Sequence, residues 1–279
     1  MTDEQLKALH RIADALERMA PPAVPPVTFD GGRFFRHDPQ SDTYIAAPDY
    51  RLDLDLLVGV DRQKARLLEN LRRFATGLPA NHMLLWGVRG TGKSSLVKAG
   101  FMALAADNID LRLVEVDRDD VTALPKVFER LRGFPQRFVV LCDDLSFEEG
   151  AAAAKALKSA LEGGVAGPPD NTLFVATSNR RHLMPRDHVE NRGAIASAED
   201  AEEEVSVSDR FGLWIGFPPM DQDTYLAAVR AYALRFDLGV ADLERRALQW
   251  SKLRGGRSGR VAWQFIRDIA GELGRKLPG

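Results

Sequence analysis

Trp86-Gly87-Val88-Arg89-Gly90-Thr91-Gly92-Lys93-Ser94-Ser95 places four residues between Gly87 and a Gly92-Lys93-Ser94 triplet, the spacing of a phosphate-binding loop. Glycines at 87, 90 and 92 let successive backbone N–H groups turn toward a polyphosphate, and a helix starting there faces it with the positive end of its dipole. Lys93 adds a mobile cation for β- and γ-phosphates, and Ser94 offers a hydroxyl to Mg²⁺. Val88, Arg89, Thr91 and Ser95 complete the loop expected to touch the nucleotide.

Such a loop needs an acidic partner, and Phe138-Val139-Val140-Leu141-Cys142-Asp143-Asp144 supplies one, an apolar strand ending in two carboxylates. Asp143 is the expected Mg²⁺ partner beside Ser94, and Asp144 is placed to orient or deprotonate an attacking water. Aspartate reaches one methylene less far than glutamate, so Glu148 is the alternative base. Ser146-Phe147-Glu148-Glu149 reads equally as a helix-capping box, which would leave Glu148 on a helix surface. Asn179, after the apolar strand ending in Ala176-Thr177-Ser178, brings an amide to the same sheet edge. Arg210 and Arg260 are lone arginines whose guanidinium groups suit charge developing on a transferring phosphoryl group.

The elements that must position these groups follow from the apolar pattern. Strands are expected over 83–86, 111–116, 138–142, 173–176 and 213–217, alternating with helices over 61–74, 93–106, 122–132 and 147–161. Runs this apolar suit a parallel sheet covered on both faces, so the predicted fold is α/β with a five-stranded parallel sheet. Beyond Pro218-Pro219 only helices are expected, near 221–236, 242–253 and 258–275, a small C-terminal helical domain. Residues 4–19 carry Leu6, Leu9, Ile12, Ala13, Leu16 and Met19 on one helical face before the proline-rich stretch 21–26. The predicted organisation is therefore an amphipathic helix and linker over 1–50, a nucleotide-binding domain over 51–218 and a helical lid over 219–279.

In chain order, the phosphate loop, acidic strand end, polar strand end, arginine before a strand and helical lid bearing an arginine resemble the AAA+ ATPase superfamily over residues 54–275. The resemblance makes Lys93 and Ser94 Walker A, Asp143 and Asp144 Walker B, Asn179 sensor 1, Arg210 the arginine finger and Arg260 sensor 2. Val58 and Gly59 resemble the segment that touches adenine. The strings Gly59-Val60-Asp61-Arg62-Gln63-Lys64, Leu84 to Ala99, Asp143 to Glu148, and Leu213-Trp214 after Ser208-Asp209-Arg210-Phe211 are similar to the bacterial AAA+ family DUF815. The resemblance implies ATP and Mg²⁺ as cofactors, and homo-oligomeric rings or arcs, a hexamer among them, because an arginine finger acts on a neighbour's nucleotide. Most of the superfamily carries glutamate where this chain has Asp144, which implies slow hydrolysis or a switch-like ATPase.

The expected function is ATP-driven remodelling of a macromolecular client. A DNA-associated loader or remodeller is the alternative, suggested by basic runs such as Arg180-Arg181 and Arg254 to Arg260, although a formal net charge of −2 gives no overall pull toward nucleic acid. A small-molecule kinase shares the loop but lacks a visible acceptor signature. No long uncharged apolar run and no basic, apolar start is present, so the expected location is the cytoplasm, without membrane spanning. The single cysteine, Cys142, reads as a small core residue. Residues 186–207, rich in Glu and Asp, form a long polar insertion before Arg210.

Overall fold

A computed structural model describes residues 5, 6, 10, 11, 27–107, 109–145, 151–163, 167–179 and 209–277. Its centre is a sheet built from β1 (Phe34–Asp38), β2 (Thr43–Ala47), β3 (Met83–Gly87), β4 (Leu111–Val116), β5 (Arg137–Cys142), β6 (Thr172–Ser178) and β7 (Leu213–Phe217). The strand order is β2-β1-β4-β5-β6-β3-β7. Every pairing is parallel except β1 with β2. Helices α1 (Asp61–Ala75), α2 (Lys93–Ala106), α3 (Leu124–Arg132) and α4 (Ala151–Glu162) flank the sheet, and α5 (Gln222–Arg235), α6 (Leu243–Leu253) and α7 (Gly259–Glu272) follow it.

The strand runs are apolar throughout because both faces are covered, and successive residues feed different cores. Leu84 packs with Val140, Phe174 and the α3 and α4 side chains Phe128 and Leu157. Its neighbours Met83 and Leu85 point the other way, toward Leu67 and Leu71 of α1 and Leu96 and Phe101 of α2. Cys142 is buried in the first of these cores. The last three helices enclose a core of their own around Tyr225, Val229, Phe265 and Ile266. Leu57 belongs to a sheet-face core and its neighbour Leu56 to the helical one, so the segment before α1 stitches the two units together.

The sheet has seven strands, not the expected five. The added pair, β1 and β2, comes from residues that the apolar pattern leaves in the segment preceding the domain. Only Phe34, Phe35 and His37 of β1 are buried, and Ile45, Ala46 and Ala47 of the edge strand β2 are exposed. A hairpin at a sheet edge lacks the continuous apolar run by which a central parallel strand is recognised. Asp61 is the first residue of α1, as expected, and the helix ends at Ala75, one residue past the expected boundary. The helix expected over 122–132 starts at Leu124, after a 3₁₀ turn over 118–123. The helix expected over 4–19 lies largely outside the described residues.

His82, just before β3, ties the sheet together by accepting the Phe174 backbone N–H at Nδ1, 3.0 Å away. Burial pushes this imidazole down to about 4, so the folded protein holds it neutral. A lowered folded value means that the unfolded chain binds the proton first, and stability is lost as pH falls from the ordinary histidine range toward 4. Between pH 7.5 and pH 5 the loss from His82 should be about 2 kcal/mol. Urea unfolding at the two pH values should show that loss, and His82→Gln should remove most of it.

Candidate nucleotide site

The loop between β3 and α2 is shaped by its glycines. Gly87 has φ +140, and a side chain there would strike the Phe217 carbonyl of β7. Gly92, left-handed at φ 93, caps α2, and its carbonyl accepts the Leu96 N–H at 2.8 Å. Lys93 is buried, and its ammonium donates to the carbonyls of Gly87 (2.8 Å) and Val88 (3.0 Å) and to Asn179 Oδ1 (3.0 Å). Burial pushes the ammonium below the usual lysine range, and Asp143 and Asp144 oppose that shift. Thr91 closes the loop internally by donating to the Val88 carbonyl at 2.9 Å.

The ends of β5 and β6 meet this loop. Asp143 Oδ1 accepts from the hydroxyls of Ser94 and Thr177 and from the Asp144 backbone N–H (3.1 Å). Two hard oxygen donors, the Ser94 hydroxyl and the Asp143 carboxylate, are thus adjacent; this donor set fits Mg²⁺, which keeps most of its sites for water and substrate phosphates. Asp144 sits at φ 56, a left-handed conformation in which its N–H also reaches Thr177 Oγ1 at 3.0 Å. Its Oδ1 accepts from the Asn179 amide, and its Oδ2 lies 3.5 Å from both Arg89 and Arg118.

These groups line one side of a cavity of about 950 Å³ that opens between the sheet and helices α5 and α7. Its polar end holds Arg89, Lys93, Ser94, Asp143, Asp144 and Asn179, and Gly90, Gly92 and Ser95 of the loop also line it. Arg260 reaches the same end from α7. The loop touches α7 directly, because the Gly90 carbonyl accepts the Gly259 N–H at 2.9 Å and a side chain on Gly90 would meet Ser258 Oγ. The other end is largely apolar, lined by Leu52, by Tyr50 beside Tyr232, and by the ring cluster of Tyr232, Phe236 and Trp263. Arg235 of α5 donates to Asp53 across this end at 2.8 Å.

The placements differ from expectation at several positions. Val58 and Gly59 are not among the cavity's lining residues; the segment contributes through residues 48–53, Leu56 and Leu57 instead, while Gly59, at φ +76, backs onto Thr224. Gly87, Val88 and Thr91 shape the loop without lining the cavity. Arg210 stands at the start of β7, and because β7 runs parallel to β3, that start lies at the sheet edge opposite the loop. There its Nε donates to Glu162 at the end of α4 (2.9 Å), and the guanidinium holds the Glu162 carboxyl below its usual range. Glu148, Arg180-Arg181 and the 186–207 insertion lie outside the described residues. Sequence reading gave no role to Thr177, Arg118 or the aromatic end. Tyr232 and Phe236, one helical turn apart, are the only local signal for that end.

The profile of a family described as "Protein of unknown function (DUF815)" matches residues 33–273. Among solved structures, the Holliday junction branch migration motor RuvB of Thermotoga maritima aligns with a TM-score of 0.52 at 18% identity, covering 82% of this chain and 67% of that one. The Aeropyrum pernix ORC1 protein in complex with DNA aligns with a TM-score of 0.58 at 15% identity, covering 79% of this chain and 64% of ORC1, so the match spans less than two thirds of that protein. The FIGL-1 AAA domain in complex with ADP gives 0.53 at 14% identity, over 81% and 76%. At such identities the likeness is one of fold, the AAA+ P-loop fold. No curated protein matches.

Proposed function

The chain belongs to the DUF815 family, and from that premise we propose that it is a Mg²⁺-dependent AAA+ ATPase that couples ATP binding and hydrolysis to remodelling of a macromolecular client. The observation that carries the reading is the convergence of Lys93, the Ser94–Asp143 pair, the Asp144–Asn179 pair and Arg260 on the polar end of one cavity whose other end is aromatic.

ATP would lie along that cavity, its base among Tyr50, Tyr232 and Trp263 and its phosphates on the backbone N–H groups of residues 88–94. Lys93 would turn from the loop carbonyls to the β- and γ-phosphates. Ser94 and Asp143 would hold Mg²⁺, which supplies Lewis-acid neutralisation of the phosphate oxygens. Asp144 or Glu148 would take the proton of the attacking water, and Asn179 would orient the water. Arg260 would reach the phosphates from the lid, and the Gly90–Gly259 hydrogen bond joins the lid to the loop, so nucleotide and lid position would be linked. The proposed units are 51–218 and 219–279, preceded by the 1–50 segment; assembly is a homo-oligomeric ring or arc, a hexamer among the candidates, with Arg210 serving a neighbour's site. Among the described residues no helix is long and apolar enough to cross a membrane, and the proposed location is the cytoplasm.

A DNA-associated loader or remodeller is the second reading, favoured by the basic excess of residues 219–279 and by structural likeness to a branch migration motor and a DNA-bound ORC1. Phosphate contacts strengthen as salt falls, so binding of duplex or single-stranded DNA at low salt should appear under this reading. Its absence there would eliminate it. The client is identified by affinity capture with Asp144→Asn and Glu148→Gln chains loaded with MgATP. The same partner should be enriched on whichever variant stalls turnover, and equal capture with and without ATP would count against ATP-driven remodelling.

A further inference from the structure

Three side chains converge on the Asp144 carboxylate. Asn179 donates to its Oδ1, and Arg89 and Arg118 both approach its Oδ2 at 3.5 Å. Arg118 donates to Oδ2 and Arg89 pairs with the same oxygen as an ion pair, so a water approaching Oδ2 meets two cations while both guanidinium groups stay. The two arginines are not equivalent. Arg89, in the phosphate loop itself, lines the cavity and is largely exposed to it, whereas Arg118 follows β4 and does not line it.

We propose that Arg89 is a catalytic residue of its own chain's site, one that leaves Asp144 for the γ-phosphate when MgATP binds. The inference rests on the ATPase reading. A γ-phosphate carries more negative charge than one carboxylate and presents oxygens that a guanidinium can fork. Transfer of Arg89 therefore does two things in one movement. It removes one of the two cations that face Asp144 Oδ2, which raises the basicity of that oxygen toward water, and it brings a cation to the oxygens on which charge develops. In the step itself the water oxygen bonds to Pγ while the bond from Pγ to the β,γ-bridging oxygen breaks. One water proton passes to Asp144, and the electron pair of the broken bond leaves with ADP. The adjoining Gly90 carbonyl is bonded to Gly259 of α7, so the position of Arg89 follows the helix that carries Arg260.

The test compares purified full-length wild type, Arg89→Ala and Arg89→Lys for turnover, for affinity toward MgAMP-PNP, and for affinity toward Mg·ADP–aluminium fluoride, which mimics the transferring phosphoryl group. Arg89→Ala should lower kcat on the order of 100-fold with KM within about threefold, because the contact strengthens in the transition state. It should weaken aluminium fluoride complex formation by a similar factor and AMP-PNP binding little. Arg89→Lys keeps the charge without the fork and should fall between. An equimolar mixture of Arg89→Ala with Lys93→Ala chains should stay inactive, because both defects lie in the site that each chain forms itself. Unchanged kcat and unchanged preference for the aluminium fluoride complex in Arg89→Ala, or restoration in that mixture, would overturn the assignment while leaving the ATPase reading standing. A wild-type chain that binds neither nucleotide would overturn the ATPase reading and this inference with it.

Discussion

Lys93→Ala is expected to lose MgATP binding by about 100-fold or more and to release no measurable phosphate. Its ammonium is the group nearest the loop carbonyls that can pivot to a triphosphate, and one charge-assisted contact in a water-poor site is worth roughly 3 kcal/mol. The same substitution should do little to folding. Lys93 is buried with its ammonium below the ordinary lysine range, which means that the folded chain already bears a cost for holding the charge. Removing it strands the Asn179 oxygen and two carbonyls but also removes that cost, so the urea midpoint should move by no more than about 1 kcal/mol in stability. Titration of fluorescent ATP together with urea unfolding separates the two effects. Loss of binding in a stable protein supports the site, and unimpaired binding would remove Lys93 from it.

Arg210→Ala should lower turnover by about 1,000-fold in the assembled protein without affecting ATP affinity by more than a few fold. The argument is positional. Arg210 precedes β7, which pairs with β3 from Leu213–Met83 to Phe217–Gly87, so the length of a five-residue strand, roughly 16 Å, separates Arg210 from the loop of its own chain. A role in hydrolysis is therefore a role at another copy's nucleotide, and Glu162 must release the guanidinium first. Mixing makes this visible. Asp143→Asn chains retain Arg210, and Arg210→Ala chains retain an intact acidic strand end, so an equimolar mixture of two inactive proteins should recover about one quarter of the wild-type rate, the fraction of neighbour pairs that random assembly makes competent. A fully active monomer insensitive to Arg210→Ala would sink the inter-subunit part of the proposal.

The strands that hold the site were legible because each is a short, unbroken apolar run between helical patterns. Leu111–Val116 and Leu213–Phe217 fall where the sequence puts them, and the ends of β3, β5 and β6 shift by one or two residues. The hairpin of β1 and β2 was not legible, since β1 carries Arg36 and Asp38 and the edge strand β2 exposes Ile45, so neither has an apolar run to find. Lys93, Ser94, Asp143, Asp144 and Asn179 lie close together, because all stand at the C-terminal ends of adjacent parallel strands or at the start of α2. What the motifs could not carry is contact across the chain. Arg118 meets Asp144 from 26 residues away and Thr177 meets Asp143 from 34, with no spacing rule to announce either. The aromatic end escaped for the same reason, its walls coming from Tyr50 and from Trp263 at opposite ends of the chain. Val58 and Gly59 sit a few residues past the part of the segment that lines the cavity: the alternation Leu52-Asp53-Leu54-Asp55-Leu56 does not form a strand, and only the packing of Leu56 and Leu57 into two different cores fixes which part faces the cavity.

The most direct measurement is phosphate release from MgATP by the purified full-length protein, with ADP and any phosphorylated product counted in parallel. The account predicts slow, saturable release, one phosphate for each ADP, abolished when Mg²⁺ is chelated. A folded protein that releases no phosphate above the blank, or that forms ADP while passing the phosphoryl group to another molecule, would contradict it.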